Sequence, residues 1–167
     1  MSNYTDFIIQ ETVKLLNIDS PTGYTDDAAE FVLTELRALG YAPTKTRKGG
    51  VLVDLGGADA ENGVMLETHL DTLGGMVAEI KSNGRLRLTN IGGMNANNAE
   101  AENVRVVTKF DGKYEGTLQL TDASIHVNGD YSTTARTWEK MEVVLDENVS
   151  SADDVRALGV SRSEEHT

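Results

Sequence analysis

The feature that most constrains the fold is a change of period near Thr72. Before it the apolar residues recur at helical spacing and then in short β-prone runs; after it they alternate in short segments split by tight-turn dipeptides. From Tyr4 to Ile18, residues Phe7, Ile8, Val13, Leu15 and Leu16 share one helical face approximately. Asp6 and Glu11 lie toward the start and Lys14 nearer the end, as the helix dipole favours. This predicts a helix with a buried face. The stretch DSPTGYTDDAAEFVLTELRALGY adds a Pro-Gly loop, Thr25 as N-cap, a second helix with Ala29, Val32, Leu33, Leu36 and Leu39 inward, and Gly40 as its stop. YAPTKT, GGVLVDLGG and GVMLETH then read as three short strands, so residues 1–71 predict a layered α/β arrangement.

Beyond Asp71, MVAEIKSNGRLRLTNIGG reads as a hairpin turning at Asn83-Gly84. Met76, Ala78 and Ile80 are expected on one face, answered by Leu86 and Leu88. ENVRVVTKF, KYEGTLQL, ASIHV and MEVVLDE continue at roughly ten-residue spacing, and a short helix over VSSADDVRALGV is capped by Ser150 or Ser151 and stopped by Gly159. Residues 72–160 thus predict a small, mostly antiparallel β domain or partial barrel. The 167-residue length allows one domain or a little more.

Composition narrows the chemistry. A net charge of −12 argues against nucleic-acid or anionic-membrane partners, whose phosphates would be repelled. There is no apolar run of membrane-spanning length and no signal-peptide pattern in MSNYTDFIIQ, so the expected location is cytoplasmic. The chain lacks cysteine, so a metal would have to be held by His, Asp and Glu.

The histidine best placed for that is His69, in VMLETHLDTLGG. If Val64 to Thr68 is a buried strand, His69 and Asp71 emerge on the same side just past its end, where ligands bind in open α/β sheets. A neutral imidazole can give one nitrogen to a divalent ion while a neighbouring carboxylate accepts the other N–H and fixes the tautomer. The competing reading is a surface turn or a hydrogen-bonded strand end, and one imidazole alone does not hold a metal.

The order helix, SPTG loop, helix, GGVLVDLGG, then VMLETHLDTLGGMVAEIKSNGRLRLTNIGG and finally MEVVLDENVSSADDVRALGV resembles the N-terminal half of the M42 metallo-aminopeptidases, the glutamyl-aminopeptidase and TET group. The likeness runs from about Asp6 to Val160. It implies the first part of a zinc-peptidase-like α/β/α domain over 1–71, then an inserted β-rich, barrel or PDZ-like dimerisation domain over 72–160. It further implies two divalent ions per full-length subunit, zinc or cobalt, with His69 as metal ligand and Asp71 as the catalytic-site aspartate behind it. The implied activity is removal of N-terminal residues from peptide substrates by a homo-oligomer, dimer-based and up to a dodecamer. The family's bridging aspartate, general-base glutamate and other ligands are expected after residue 160, so the resemblance implies an N-terminal fragment that is itself inactive. Thr68 and Met94 depart from the residues usual in the family. The ending SRSEEHT, residues 161–167, resembles read-through of a sequencing adapter, and its His166 is not a ligand candidate.

Other candidates have plainer readings. His126 in ASIHVNGD could face solvent, a subunit contact or the site, and receives no role. The pairs Asp26-Asp27 and Asp153-Asp154 sit at helix starts, where capping explains them. Gly56-Gly57 and Gly74-Gly75 lack phosphate-loop spacing and read as turns. Trp138 is expected to be a core or interface anchor, and Glu67 needs another strand's help to reach a metal. The alternative to a peptidase is a non-catalytic β-rich self-association module in which His69 is vestigial.

Overall fold

The computed structural model describes residues 3–59 and 61–162 and shows a mixed α/β chain that divides between Leu73 and Gly74 into two compact units. The adapter-like tail and His166 fall almost wholly outside the described residues. Among the described residues no helix is long and apolar enough to cross a membrane.

In the first unit, α1 spans Asn3–Leu16 and α2 spans Asp26–Ala38. Thr25 occupies the N-cap of α2 without a side-chain bond, and Gly40, at φ +89°, ends it in the left-handed conformation that glycine adopts without a Cβ clash. Strands β1 (Thr44–Lys45) and β2 (Val51–Leu52) form a two-stranded antiparallel ladder. The core here is thin: Ala28, Ala29 and Leu33 are buried with Ser20.

Three expectations for this unit are corrected. The apolar face of α1 is not buried, because Phe7, Ile8, Val13 and Leu16 are exposed, and Leu39 of α2 is exposed with them. Residues 63–71 form no strand, and Val64 is 88% exposed, with Met65 and Leu66 nearly as open. For the last of these the physical reason is direct. An apolar strand is defined by its neighbours, and among the described residues none pairs with this run.

The second unit is a five-stranded antiparallel sheet in the order β3-β4-β7-β6-β5. Its strands are β3 (Gly74–Ile80), β4 (Leu86–Ile91), β5 (Asn103–Val107), β6 (Lys113–Leu120) and β7 (Met141–Leu145). Burial alternates cleanly along β6, with Gly116, Leu118 and Leu120 inward; on β7 Met141, Val143 and Leu145 join the core, and Glu142 between them is buried as well. These meet Ile80, Leu86, Val155 and Val160, and each fully buried Leu or Val contributes about 1.5–3 kcal/mol. The β3–β4 hairpin turns at Asn83-Gly84, as expected, with Gly84 at φ +79° packed against the backbone of Ser151.

Strand β3 departs from expectation at a bulge between Val77 and Glu79. The extra residue shifts the phase, so Val77 and Ile80 reach the core and Met76 is exposed. Gly74 and Gly75 are strand residues paired with Ile91 and Asn90 rather than a turn. ASIHV is also not a strand. Val127 and Asn128 donate backbone N–H to the Ser124 carbonyl and the His126 N–H donates to Ser124 Oγ, which coils the segment into turns and leaves Ile125 and Val127 exposed.

The long β6–β7 connection is anchored by Arg136. Its guanidinium donates to both carboxylate oxygens of Glu100 and to the carbonyls of Tyr131 and Thr134, and lies 4.7 Å from the Tyr131 ring centroid. Helix α3 (Ala96–Ala99) precedes β5, with Asn95 capping its start and Met94 packed on the core. Helix α4 (Ala152–Ala157) carries a capping box between Ser151 and Asp154. Trp138, in a 3-10 turn before β7, packs partly buried against the core, as expected of an anchor.

Candidate functional site

The site is built from two segments of the first unit, the SPTG loop after α1 and the HLD segment at residues 69–71. Ser20 is almost fully buried. Its hydroxyl donates to the Leu70 carbonyl at 3.0 Å, and its own carbonyl accepts the Thr72 N–H at 2.8 Å, beside a parallel bridge between Pro21 and Thr72. Pro21 to Tyr24 then turns, with the Tyr24 N–H bonded to the Pro21 carbonyl at 2.8 Å and Gly23 at φ +93°, the sign a type II turn needs at its third position. The turn presents Thr22, whose hydroxyl donates to Asp71 Oδ2 at 2.6 Å.

The other carboxylate oxygen serves His69. Nδ1 lies 3.3 Å from Asp71 Oδ1 and 3.0 Å from the Asp71 carbonyl oxygen, and both are acceptors, an arrangement that suits a ring protonated on Nδ1. The His69 side chain is 84% exposed and no partner engages Nε2 among the described residues, so a lone pair is directed outward. The Asp71 carboxyl is held below its ordinary value chiefly by the Thr22 hydroxyl, with smaller help from its own backbone N–H and from His69, against a contrary effect of burial.

This donor set suits one corner of a metal site: an imidazole nitrogen open to an ion, and behind it a carboxylate that accepts the other N–H. It is one corner only. Among the described residues no three of His, Asp and Glu converge as a metal would require.

Of the residues singled out by sequence, His69 and Asp71 are brought together. Glu67 is exposed, and His126 lies exposed in a turn of the second unit. The acid pairs do not form paired-carboxylate sites. Asp154 caps α4, accepting the N–H groups of Ser150 and Ser151, while Asp26 pairs with Lys45 at 2.8 Å. Sequence reasoning missed Ser20 and Thr22. Their only signal was a pair of hydroxyl residues around a proline, which does not reveal a partner fifty residues on.

The sequence model of the M42 glutamyl aminopeptidase family matches residues 49–165. The Bacillus subtilis (strain 168) protein YhfE, whose name assigns it provisionally as an aminopeptidase, is 37% identical over 147 residues, covering 88% of this chain and 42% of that protein. A TET aminopeptidase from the marine-sediment archaeon Thaumarchaeota archaeon SCGC AB-539-E09 matches with a TM-score of 0.78 at 16% identity, over 96% of this chain and 44% of the other. The Pyrococcus horikoshii TET1 peptidase, which can assemble into a tetrahedron or a large octahedral shell, matches with a TM-score of 0.74 at 22% identity, over 92% of this chain and 44% of its own. The chain therefore spans less than half the length of these relatives. With 70% of its residues inside the family match, the chain belongs to the M42 glutamyl aminopeptidase family.

Proposed function

We propose that this chain is the N-terminal portion of a dinuclear metal aminopeptidase that releases N-terminal residues from peptides, and that the 167 residues alone are inactive. The observation that carries the reading is the His69–Asp71 geometry: Nδ1 engaged by two oxygens of Asp71, Nε2 left open. Divalent ions at such a centre, zinc or cobalt, supply Lewis acidity toward a peptide carbonyl and an acidified water. His69 would hold one ion through Nε2. Asp71 would keep the ring in the Nδ1–H tautomer and raise its donor strength. The remaining ligands and the general base are proposed to lie on polypeptide that the relatives have and this chain does not span. The exposure of Val64, Met65, Leu66 and the α1 face supports this, since each is an apolar surface of the kind that packs against further sheet and helix.

The second unit is proposed as the inserted dimerisation domain, beginning at Gly74, three residues after Asp71. Supporting this are its independent core and a relative that assembles into shells.

Two assays separate the readings. The purified chain with added zinc or cobalt should release no p-nitroaniline from aminoacyl-p-nitroanilides, whereas a chain carried to the length of YhfE should do so, with the activity abolished by chelator. Metal-dependent turnover by the short chain refutes its inactivity. A gene-length protein that self-associates on a sizing column yet takes up no divalent ion supports instead a non-catalytic assembly module.

A further inference from the structure

Three contacts from the SPTG loop bracket Asp71: Ser20 holds the carbonyl of Leu70, Ser20 receives the N–H of Thr72, and Thr22 reaches the Asp71 carboxylate itself. The first two, one from the Ser20 hydroxyl and one between backbones, act on the main chain either side of Asp71 and already tether the loop. The third does something different. A carboxylate has two equivalent oxygens and a freely rotating terminal torsion, so nothing intrinsic to Asp71 keeps Oδ1 on the imidazole side. A hydroxyl donor at 2.6 Å from Oδ2 stops that rotation with a short, charge-assisted bond.

Thr22 is itself held. It lies between Pro21, whose ring fixes its own φ, and Gly23, whose positive φ closes the turn back on the Pro21 carbonyl. We propose that Thr22 is a positioning residue for the metal corner: by binding Asp71 Oδ2 it turns Oδ1 toward His69 Nδ1 as a second acceptor beside the Asp71 carbonyl at 3.0 Å, which favours the Nδ1–H tautomer and keeps the Nε2 lone pair for a divalent ion. This rests on the reading of His69 as a ligand, yet the tautomer is measurable with no metal present. A merely structural Thr22 would leave the tautomer alone.

The test is the long-range ¹H–¹⁵N imidazole spectrum of the full 167-residue chain, taken where the ring ¹⁵N shifts no longer change as pH rises. His69 is distinguished from His126 and His166 by its loss in His69→Gln. The wild-type ring should show a protonated Nδ1 and an unprotonated Nε2. Thr22→Val, which keeps the shape and removes the donor, should lower the ratio of Nδ1–H to Nε2–H about 2- to 10-fold, the range of one ordinary hydrogen bond, and Thr22→Ser should restore it. Thr22→Ala gives the same reading if the valine disturbs the turn. A wild-type ring protonated on Nε2 overturns the proposal, as does a ratio unchanged in both donor-less variants. Zinc chloride added to the wild-type chain addresses the other reading separately: movement of Nε2 supports ligation, and a ring indifferent to zinc counts against ligation while leaving the tautomer comparison intact.

Discussion

Glu142 on β7 is 0% exposed, and two cations from the β3–β4 hairpin close over it: Lys81 at 2.6 Å from Oε2 and Arg85 on Oε1, with side chains 27% and 37% exposed. The asymmetry of burial makes an asymmetric prediction. Removing both cations by Lys81→Met with Arg85→Met strands a carboxylate that no water reaches, a change that costs about 3–5 kcal/mol for a buried charge left without its partner. Glu142→Gln removes the charge but leaves an acceptor, and the two cations, already partly in water, hydrate. Its expected cost is about 1.5–3 kcal/mol, the range of a hydrogen bond to a charged group. Replacing all three by Met should return most of the loss, because a well-packed apolar trio no longer desolvates charge.

The readout is Trp138 fluorescence during urea denaturation, since this is the only tryptophan and it packs on the core of the same unit. Against a total of about 5–15 kcal/mol for a domain, a 3–5 kcal/mol loss moves the midpoint far, and by heat it should lower Tm by at least about 12 °C. A double variant no less stable than Glu142→Gln would refute the reasoning. So would a triple variant weaker than the double.

Gly116 on β6 has no room for a methyl group: a Cβ there would meet the Val144 carbonyl oxygen at 2.6 Å and Val143 Cγ1 at 3.0 Å, so Gly116→Ala should destabilise the sheet by about 1–3 kcal/mol, read by the same denaturation. Leu118→Ala, at a fully buried position between neighbouring strands, should cost about 2–5 kcal/mol without changing the secondary-structure content by circular dichroism. Asp154 is held below its ordinary value first by the Ser150 N–H and then by the Ser151 and Ser150 hydroxyls. A carboxyl whose folded value lies below its unfolded one stabilises fully above the unfolded value, about pH 4, and loses that contribution as pH falls through the folded value. Amide protection of α4 should therefore decline below about pH 4 in the wild type, and that part of the pH dependence should vanish in Asp154→Asn; an unchanged profile contradicts the cap.

Legibility in the sequence followed how local each signal was. The two N-terminal helices, the Asn83-Gly84 hairpin and the Ser151–Asp154 cap of α4 each depend on residues within a few positions of one another, and each is where the pattern placed it. The bulge at Val77 was hidden because alternation says nothing about an inserted residue until the partner strand sets the register. ASIHV has strand composition, yet the Ser124 hydroxyl and carbonyl turn the backbone back on itself. Val64–Thr68 shows the opposite limit: its composition suits a strand, yet none forms, and among the described residues no strand pairs with it. At the site, the spacing of His69 and Asp71 was enough to pair them, while the hydroxyl that orients Asp71 comes from a loop fifty residues earlier and is visible only once the chain is folded.

His69 Nε2 is proposed above as a corner of a two-ion centre. Metal content per subunit, measured on a chain carried to the length of YhfE, tests it most directly. Two divalent ions are expected in the wild type, a loss of at least one in His69→Ala, and no loss in His126→Ala. Two ions retained after His69→Ala would contradict it.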